Sequence, residues 1–244
     1  MNDQLLLGNI REVLNRLEDT IIFALIERAQ FRVNPVVYEK ERFGQATGGE
    51  SLCGYLLRET EQIHARMRRY TSPDEHPFFA DLPPPILPPL RFDESPLQPN
   101  RVNLNPRIRE LYETAILPFI CRAGDDAQYG STAVCDVACL QALSRRIHYG
   151  KFVAESKFQG QPAPFLAAIR VADHAALERL ITDAPVEAKV LERVRRKAQT
   201  YGQDLAGRPG QTKIDTDRVV EVYEHWIIPL TKAVEVAYLL ERRP

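Results

Sequence analysis

Apolar side chains recur three and four positions apart along this chain, and nowhere do they alternate with polar ones over a strand-length run. That restricts the fold to helices, because a helix buries one stripe at a 3.6-residue repeat whereas a half-buried strand needs a repeat of two. Leu6, Ile10, Val13, Leu14, Leu17, Ile21, Ala24 and Leu25 set the pattern, placing one long amphipathic helix at the N-terminus. Loop signals follow at Asn34-Pro35, Gly44 and Gly48-Gly49, and a second helix is expected from about Ser51 to Tyr70.

Residues 71–106 break the pattern with a proline-dense stretch that includes LPPPILPPL. Prolines lack a backbone donor, so this stretch reads as an extended connector wrapped over the helices, with a polyproline ligand for a partner domain as the alternative. Helical spacing resumes at Pro106, with a kink expected at Pro118. A long helix is expected from Thr132 to Phe158, capped by Ser131 or Thr132 and burying Leu140, Leu143 and Ile147. Shorter helices fit residues 163–171 and 173–182, the second capped by Asp173, and another runs from Pro185 to Tyr201. The last, from Thr216 to Arg243, buries Val219, Tyr223, Trp226, Leu230 and Val234 and bends at Pro229. The expected architecture is all-α: a single-domain multi-helix bundle over residues 1–244 with long N-terminal and C-terminal helices.

Charge excludes some functions. The 32 basic and 33 acidic side chains leave a net charge of −1, so no global field draws the chain to nucleic acid or an anionic membrane. An anionic ligand would have to be held by locally placed cations. No run of 18 apolar residues occurs, and the N-terminus reads as an amphipathic helix rather than a signal peptide. Cys135 and Cys139 lie four apart with His148 downstream, but a zinc site needs a denser set, so buried reduced thiols are the plainer reading and no metal is expected.

Within SRRIHYGKFVAESKF, Arg146 and Lys157 are three helical turns apart on nearly one face, and Gly150 and Ala154 between them suggest a hollow for a ligand. Thr231 and Glu235 share a face of the last helix. Arg11 borders the apolar stripe of the first helix, where it could fork onto a carboxylate. Glu187 falls in the first turn of its helix, where a carboxylate suits the dipole. Each feature alone is weak, and ordinary helix packing or a solvated, salt-bridged face is the better reading of it.

Together the segments resemble the all-helical chorismate mutases of fungi and plants. NIREVLNRLEDTIIFALIERAQF is similar to that family's first helix. HARMRRYTSPDEHPFF, GDDAQYGSTAVCDVACLQALSRRIHYGKFVAESKFQ, VEAKVLERV and IIPLTKAVEVAYLLERR match later blocks in the same order, over nearly the whole chain. The resemblance implies conversion of chorismate to prephenate by a pericyclic rearrangement without cofactor, metal or covalent intermediate. It further implies that Arg11 and Arg146 clamp the two carboxylates, that Lys157 and Glu235 face the ether oxygen, that Glu187 binds the ring hydroxyl, and that Thr231 helps hold a carboxylate. Family members carry glutamine or glutamate where Glu235 stands. A glutamate donates a hydrogen bond only when protonated, so turnover is expected to fall as pH rises through its pKa. The family's asparagine four positions before the ring-hydroxyl glutamate is Asp183 here, and Asp183 would repel the substrate unless it turned toward a cation or stayed protonated.

The resemblance also implies a homodimer regulated by tyrosine and tryptophan. Arg68 and Arg69 in RMRRY match the effector-binding arginines, and Gly130-Ser131 matches the backbone-binding turn. A threonine that governs switching in fungal relatives aligns with Asp215, where an added carboxylate could bias a two-state equilibrium. The expected location is the cytoplasm, or a plastid if a leader has been removed. The alternative function is a catalytically silent helical regulator that keeps the pocket.

Overall fold

Eleven α-helices, joined by short 3-10 and π turns, make up the described secondary structure of a computed structural model that describes residues 5–88, 95–204 and 212–242. Helix α1 (Leu7–Arg28) turns Ile10, Leu17, Ile21, Ile22, Leu25 and Ile26 inward, and its most extensive packing is against α5 (Tyr129–His148). Helix α2 (Leu52–Arg66) opens where Ser51 Oγ accepts the Gly54 N–H at 3.1 Å and lies along the same α5. The preceding loop turns at Gly48 and Gly49, whose φ values of 61° and 82° suit a residue without a Cβ. The buried apolar side chains form one continuous cluster from Leu5 to Leu239.

The buried Arg28 guanidinium anchors the end of α1 to α5. Its Nε lies 2.6 Å from Asp136, which also accepts from Tyr38 at 2.6 Å and Tyr112 at 2.7 Å, while Arg28 donates to the carbonyls of Phe31, Arg32 and Val33. A buried ion pair this fully hydrogen-bonded resists loss of either member, at roughly 3–5 kcal/mol.

Among the described residues the connector carries no helix between Ser72 and Leu104. It is held to the helices by specific polar contacts. The buried Glu61 carboxylate accepts the N–H groups of Phe78 and Phe79 at 2.9 and 3.1 Å, and Lys151 Nζ donates to the Val102 carbonyl at 2.6 Å. Pro89 and Leu90, the end of LPPPILPPL, lie outside the described residues.

Prolines mark two distortions, each lying in the turn just before the proline. A π turn at Tyr112–Ile116 separates α3 (Asn105–Leu111) from α4 (Leu117–Ile120), which contains Pro118. A second π turn at Tyr223–Ile227 separates α10 (Thr216–Val222) from α11 (Ile228–Glu241), which contains Pro229. Proline cannot donate to the carbonyl four residues back, and the helix widens by one residue just before it. The inserted residue shifts the buried stripe: Ile227 is fully buried where spacing pointed to Trp226, which is only half-buried.

Two other expectations are corrected. The long helix begins at Tyr129, and neither Ser131 nor Thr132 caps it; Thr132 is buried and its Oγ1 accepts from Asn34 Nδ2 at 2.8 Å. Tyr149 then divides it from α6 (Gly150–Gly160). The hollow expected at Gly150 is filled by α11. A Cβ there would stand 3.0 Å from the Thr231 carbonyl oxygen and 3.2 Å from Glu235 Cγ, so the glycine admits close helix contact rather than a ligand. Gly150→Ala should therefore destabilise the chain by about 1–3 kcal/mol, because backbone on α11 cannot yield as a side-chain tip would. A thermal melt matching the wild type would contradict that.

Helices α7 (Pro162–Arg170), α8 (His174–Ile181) and α9 (Ala184–Tyr201) complete the bundle. Asp173 caps α8 by accepting from the Ala176 N–H at 2.9 Å, as the sequence indicates. The wholly buried Glu18 of α1 draws α9 inward, 2.6 Å from Arg193 and 3.5 Å from Lys197.

Candidate active site

Where α1, α5, α6, α9 and α11 converge, a pocket of about 120 Å³ opens to solvent. Its walls include Leu14, Val153, Ile181, Val190 and Ile228, and its polar groups are Arg146, Lys157, Asp183, Glu187, Thr231, Lys232 and Glu235. Five of the six residues singled out as catalytic from the sequence line this pocket. Arg11 does not. It is exposed on α1, one turn before Leu14, which does line it.

Arg146, at the C-terminal end of α5, is buried and its hydrogen-bonding capacity is underused. Nη1 makes a long 3.4 Å contact to Thr231 Oγ1, and Nε finds no partner among the described residues. Thr231 donates its hydroxyl to the Ile227 carbonyl at 2.7 Å, which leaves its oxygen to accept from Arg146. A buried guanidinium with idle donors is suited to an anion.

Glu235 is 5% exposed, and its Oε2 also lacks a hydrogen-bond partner among the described residues. Burial pushes its pKa up to about 7 against the pull of Lys157, Arg146 and Lys232, while Glu187 adds to the rise. Lys157 Nζ stands 3.8 Å from that Oε2, too far for a direct hydrogen bond, and donates to the Ile181 carbonyl instead. The pocket thus presents an ammonium and a carboxyl whose pKa burial raises, with a gap between them.

In the same pocket, Lys232 Nζ bridges Glu187, at 2.8 and 3.0 Å from its two oxygens. Spacing could have found Lys232, which lies three residues before Glu235 and so on a neighbouring face of α11. Asp183 is the N-cap of α9, accepting from the Val186 N–H at 3.1 Å. Its carboxylate faces the positive end of a helix, which offsets its repulsion of an anion in the pocket.

The residues matched to effector binding occupy two separate places. Arg68 takes a left-handed conformation, φ 66°, just past α2 and donates to the Pro88 carbonyl. Arg69 is 3.0 Å from Glu75 and donates to Gln141 Oε1 at 2.6 Å. Gly130 and Ser131 are exposed in the first turn of α5. Ser131 precedes Gln141 by ten residues, about 15 Å along the helix axis, so one chain does not bring the two pairs together. Asp215 is engaged locally as the N-cap of α10, accepting from the Asp217 N–H at 3.0 Å. Cys139 is buried and Cys135 half-buried, burial raises the pKa of both thiols, and among the described residues no three His, Cys, Asp or Glu side chains are grouped to hold a metal. No helix among the described residues is long and apolar enough to cross a membrane.

A family model described as chorismate mutase type II matches residues 128–236, the stretch that carries Arg146, Lys157, Glu187, Thr231 and Glu235. A chorismate mutase of Emericella nidulans is 51% identical, covering 97% of this chain and 92% of its own. The crystal structure of a Candida albicans chorismate mutase in complex with L-Trp superposes with a TM-score of 0.92 at 42% identity, over 98% of this chain and 92% of that one. Another solved chorismate mutase, with phenylalanine bound in its allosteric site, gives 0.91 at 45% identity over 99% and 98% of the two chains.

Proposed function

This chain belongs to the chorismate mutase family, and from that premise we propose which of its residues carry the reaction. The reaction is an isomerisation of chorismate to prephenate, in which the ether C–O bond breaks as a C–C bond forms within the same molecule. No group leaves, so the site must fold the substrate into a chair-like geometry, keep water out and stabilise charge growing on the ether oxygen.

The observation that carries the assignment is the gap between Lys157 Nζ and Glu235 Oε2. An oxygen about 2.8 Å from each would see them at about 85°, open enough for two lone pairs to accept separately. The 3.8 Å separation supports the ether oxygen at that point, with Lys157 and protonated Glu235 both donating to it. Arg146, with its idle Nε, takes one carboxylate, and Thr231 beside it helps hold that group. Arg11, exposed one turn from the lining, would swing over the mouth onto the second carboxylate. Glu187 accepts from the ring hydroxyl. The apolar walls strengthen each of these contacts by lowering the local dielectric.

We further propose a homodimer regulated by aromatic amino acids. Exposed Ile63 on α2, Met67 just past its end and Val134 on the adjoining α5, at 57%, 48% and 60% exposure, are apolar side chains that a second copy could cover. Two copies would let Arg68 and Arg69 of one meet Gly130 and Ser131 of the other, where the carboxylate and amine of tyrosine or tryptophan could bind. The relatives with L-Trp and with phenylalanine bound support this chemistry. Four free cysteines fit a reducing compartment, and we assign the cytoplasm, with a plastid as the alternative.

Loss of chorismate absorbance, followed with and without tyrosine and tryptophan, tests both readings. Turnover is expected, with tyrosine lowering it and tryptophan raising it. No turnover between pH 5 and pH 8 would favour the silent regulator. Turnover indifferent to both amino acids would remove the regulatory reading alone.

A further inference from the structure

We propose that Lys232 is a positioning residue of this pocket, holding Glu187 on the ring hydroxyl and balancing the charge around it. The inference rests on the assignment of Glu187 above. Glu187 stands in the first turn of α9, where a glutamate at the pocket edge has several rotamers open to it. Lys232 removes that freedom, because its Nζ contacts both carboxylate oxygens from the facing α11. Each oxygen keeps a lone pair for a hydroxyl donor.

The pocket already holds carboxylates that oppose an anionic substrate. Asp183 and Glu187 both line it, and the substrate brings two more carboxylates. Lys232 is the one cation paired with either of these two residues in the described contacts, and it lines the pocket itself. It also acts on Glu235. The charged groups facing Glu235 are Arg146 from α5, Lys157 from α6, Glu187 from α9 and Lys232 from its own helix. Lys232 favours the ionised form of Glu235, so its removal should raise the pKa of that carboxyl and carry the alkaline limb of the rate profile to higher pH.

An ion pair that reaches solvent, here 21% and 29% exposed, adds little to stability, so a purely structural Lys232 predicts wild-type kinetics when its stem is kept. The test is Lys232→Met, which preserves most of that stem, beside Lys232→Arg, Glu187→Gln and the double variant, with chorismate turnover measured across pH. Lys232→Met is expected to raise KM about tenfold with kcat within about threefold, and to move the alkaline limb upward. Lys232→Arg should restore KM, and the double variant should be no worse than Glu187→Gln alone. A wild-type KM and limb in Lys232→Met would overturn the inference, as would full additivity in the double variant. If Lys232→Met does not fold, Lys232→Gln takes its place, and failure of both overturns the inference by making the pair structural. Absence of turnover in the wild-type chain is a different result, which overturns the assignment of the reaction and this inference with it.

Discussion

Lys157→Met should lower kcat by about two to three orders of magnitude, the range seen when one preorganised donor to a developing oxyanion is lost. The Lys157 ammonium is oriented by the Ile181 carbonyl and stands 3.8 Å from Glu235, so it need not be recruited when charge develops. Because that charge is larger in the transition state than in the bound substrate, the loss should fall on kcat, with KM changing less. Lys157→Arg should rescue little, since a planar guanidinium cannot occupy the place of a compact ammonium beside the Ile181 carbonyl. A kcat within fivefold of wild type in Lys157→Met, measured below pH 6, would refute the role. The low pH matters because Lys157 heads the charges that hold Glu235 down, and its loss alone favours the protonated carboxyl.

The second large effect is on pH. Glu235 has a folded-state pKa raised from 4.5 to about 7, chiefly by burial. Its neutral form, the one able to donate to the ether oxygen, is therefore complete at pH 5 and lost as pH rises through 7. Turnover should fall about tenfold per unit above that point, so that pH 9 is roughly a hundredfold below the plateau. Glu235→Gln donates at every pH and should give a flat profile that crosses the wild-type curve on its alkaline side. The same titration carries a stability signature. A carboxyl whose pKa rises on folding favours the folded state fully below its unfolded pKa and loses that advantage through the folded one. Ionising Glu235 by pH 8 should thus cost about 3 kcal/mol at most relative to pH 4, and Glu235→Gln should escape that loss. A wild-type profile flat from pH 5 to 9, or an alkaline fall kept in Glu235→Gln, would refute the assignment.

The elements came through clearly in spacing and capping chemistry. The stripe from Ile10 to Leu25, the Asp173 cap and Pro185 in the first turn of α9 are local signals, and local signals survive tertiary context. The pocket was less legible. Thr231 and Glu235 share a face by arithmetic, but their opposition to Arg146 and Lys157 depends on helices distant in sequence, and the family resemblance supplied that pairing. Gly150 was misread because a small residue looks the same whether its space is empty or taken, and here Thr231 takes it. Arg11 borders a stripe by spacing alone, and its role at the site comes from the family resemblance, because spacing cannot say how far a flexible arm reaches. Lys232 carries no such signal, because a lysine beside an apolar run usually means solvent.

The π turn at Tyr223–Ile227 has a consequence for the angular phase of α11. One inserted residue advances everything after it by about 100° around the helix axis relative to an uninterrupted α-helix. The residues before the turn, Val219 and Val222, are matched to the apolar interior. Those after it must present Leu230 and Val234 to that interior and also offer Thr231 and Glu235 to the pocket. With the extra residue regularised away, those two faces would rotate together, and the carboxyl that faces Lys157 would point elsewhere. Pro229 resists that regularisation, because a proline cannot close the ordinary turn behind it. The heading of Glu235 is thus set by a proline six residues upstream that makes no contact with the substrate in the arrangement proposed here.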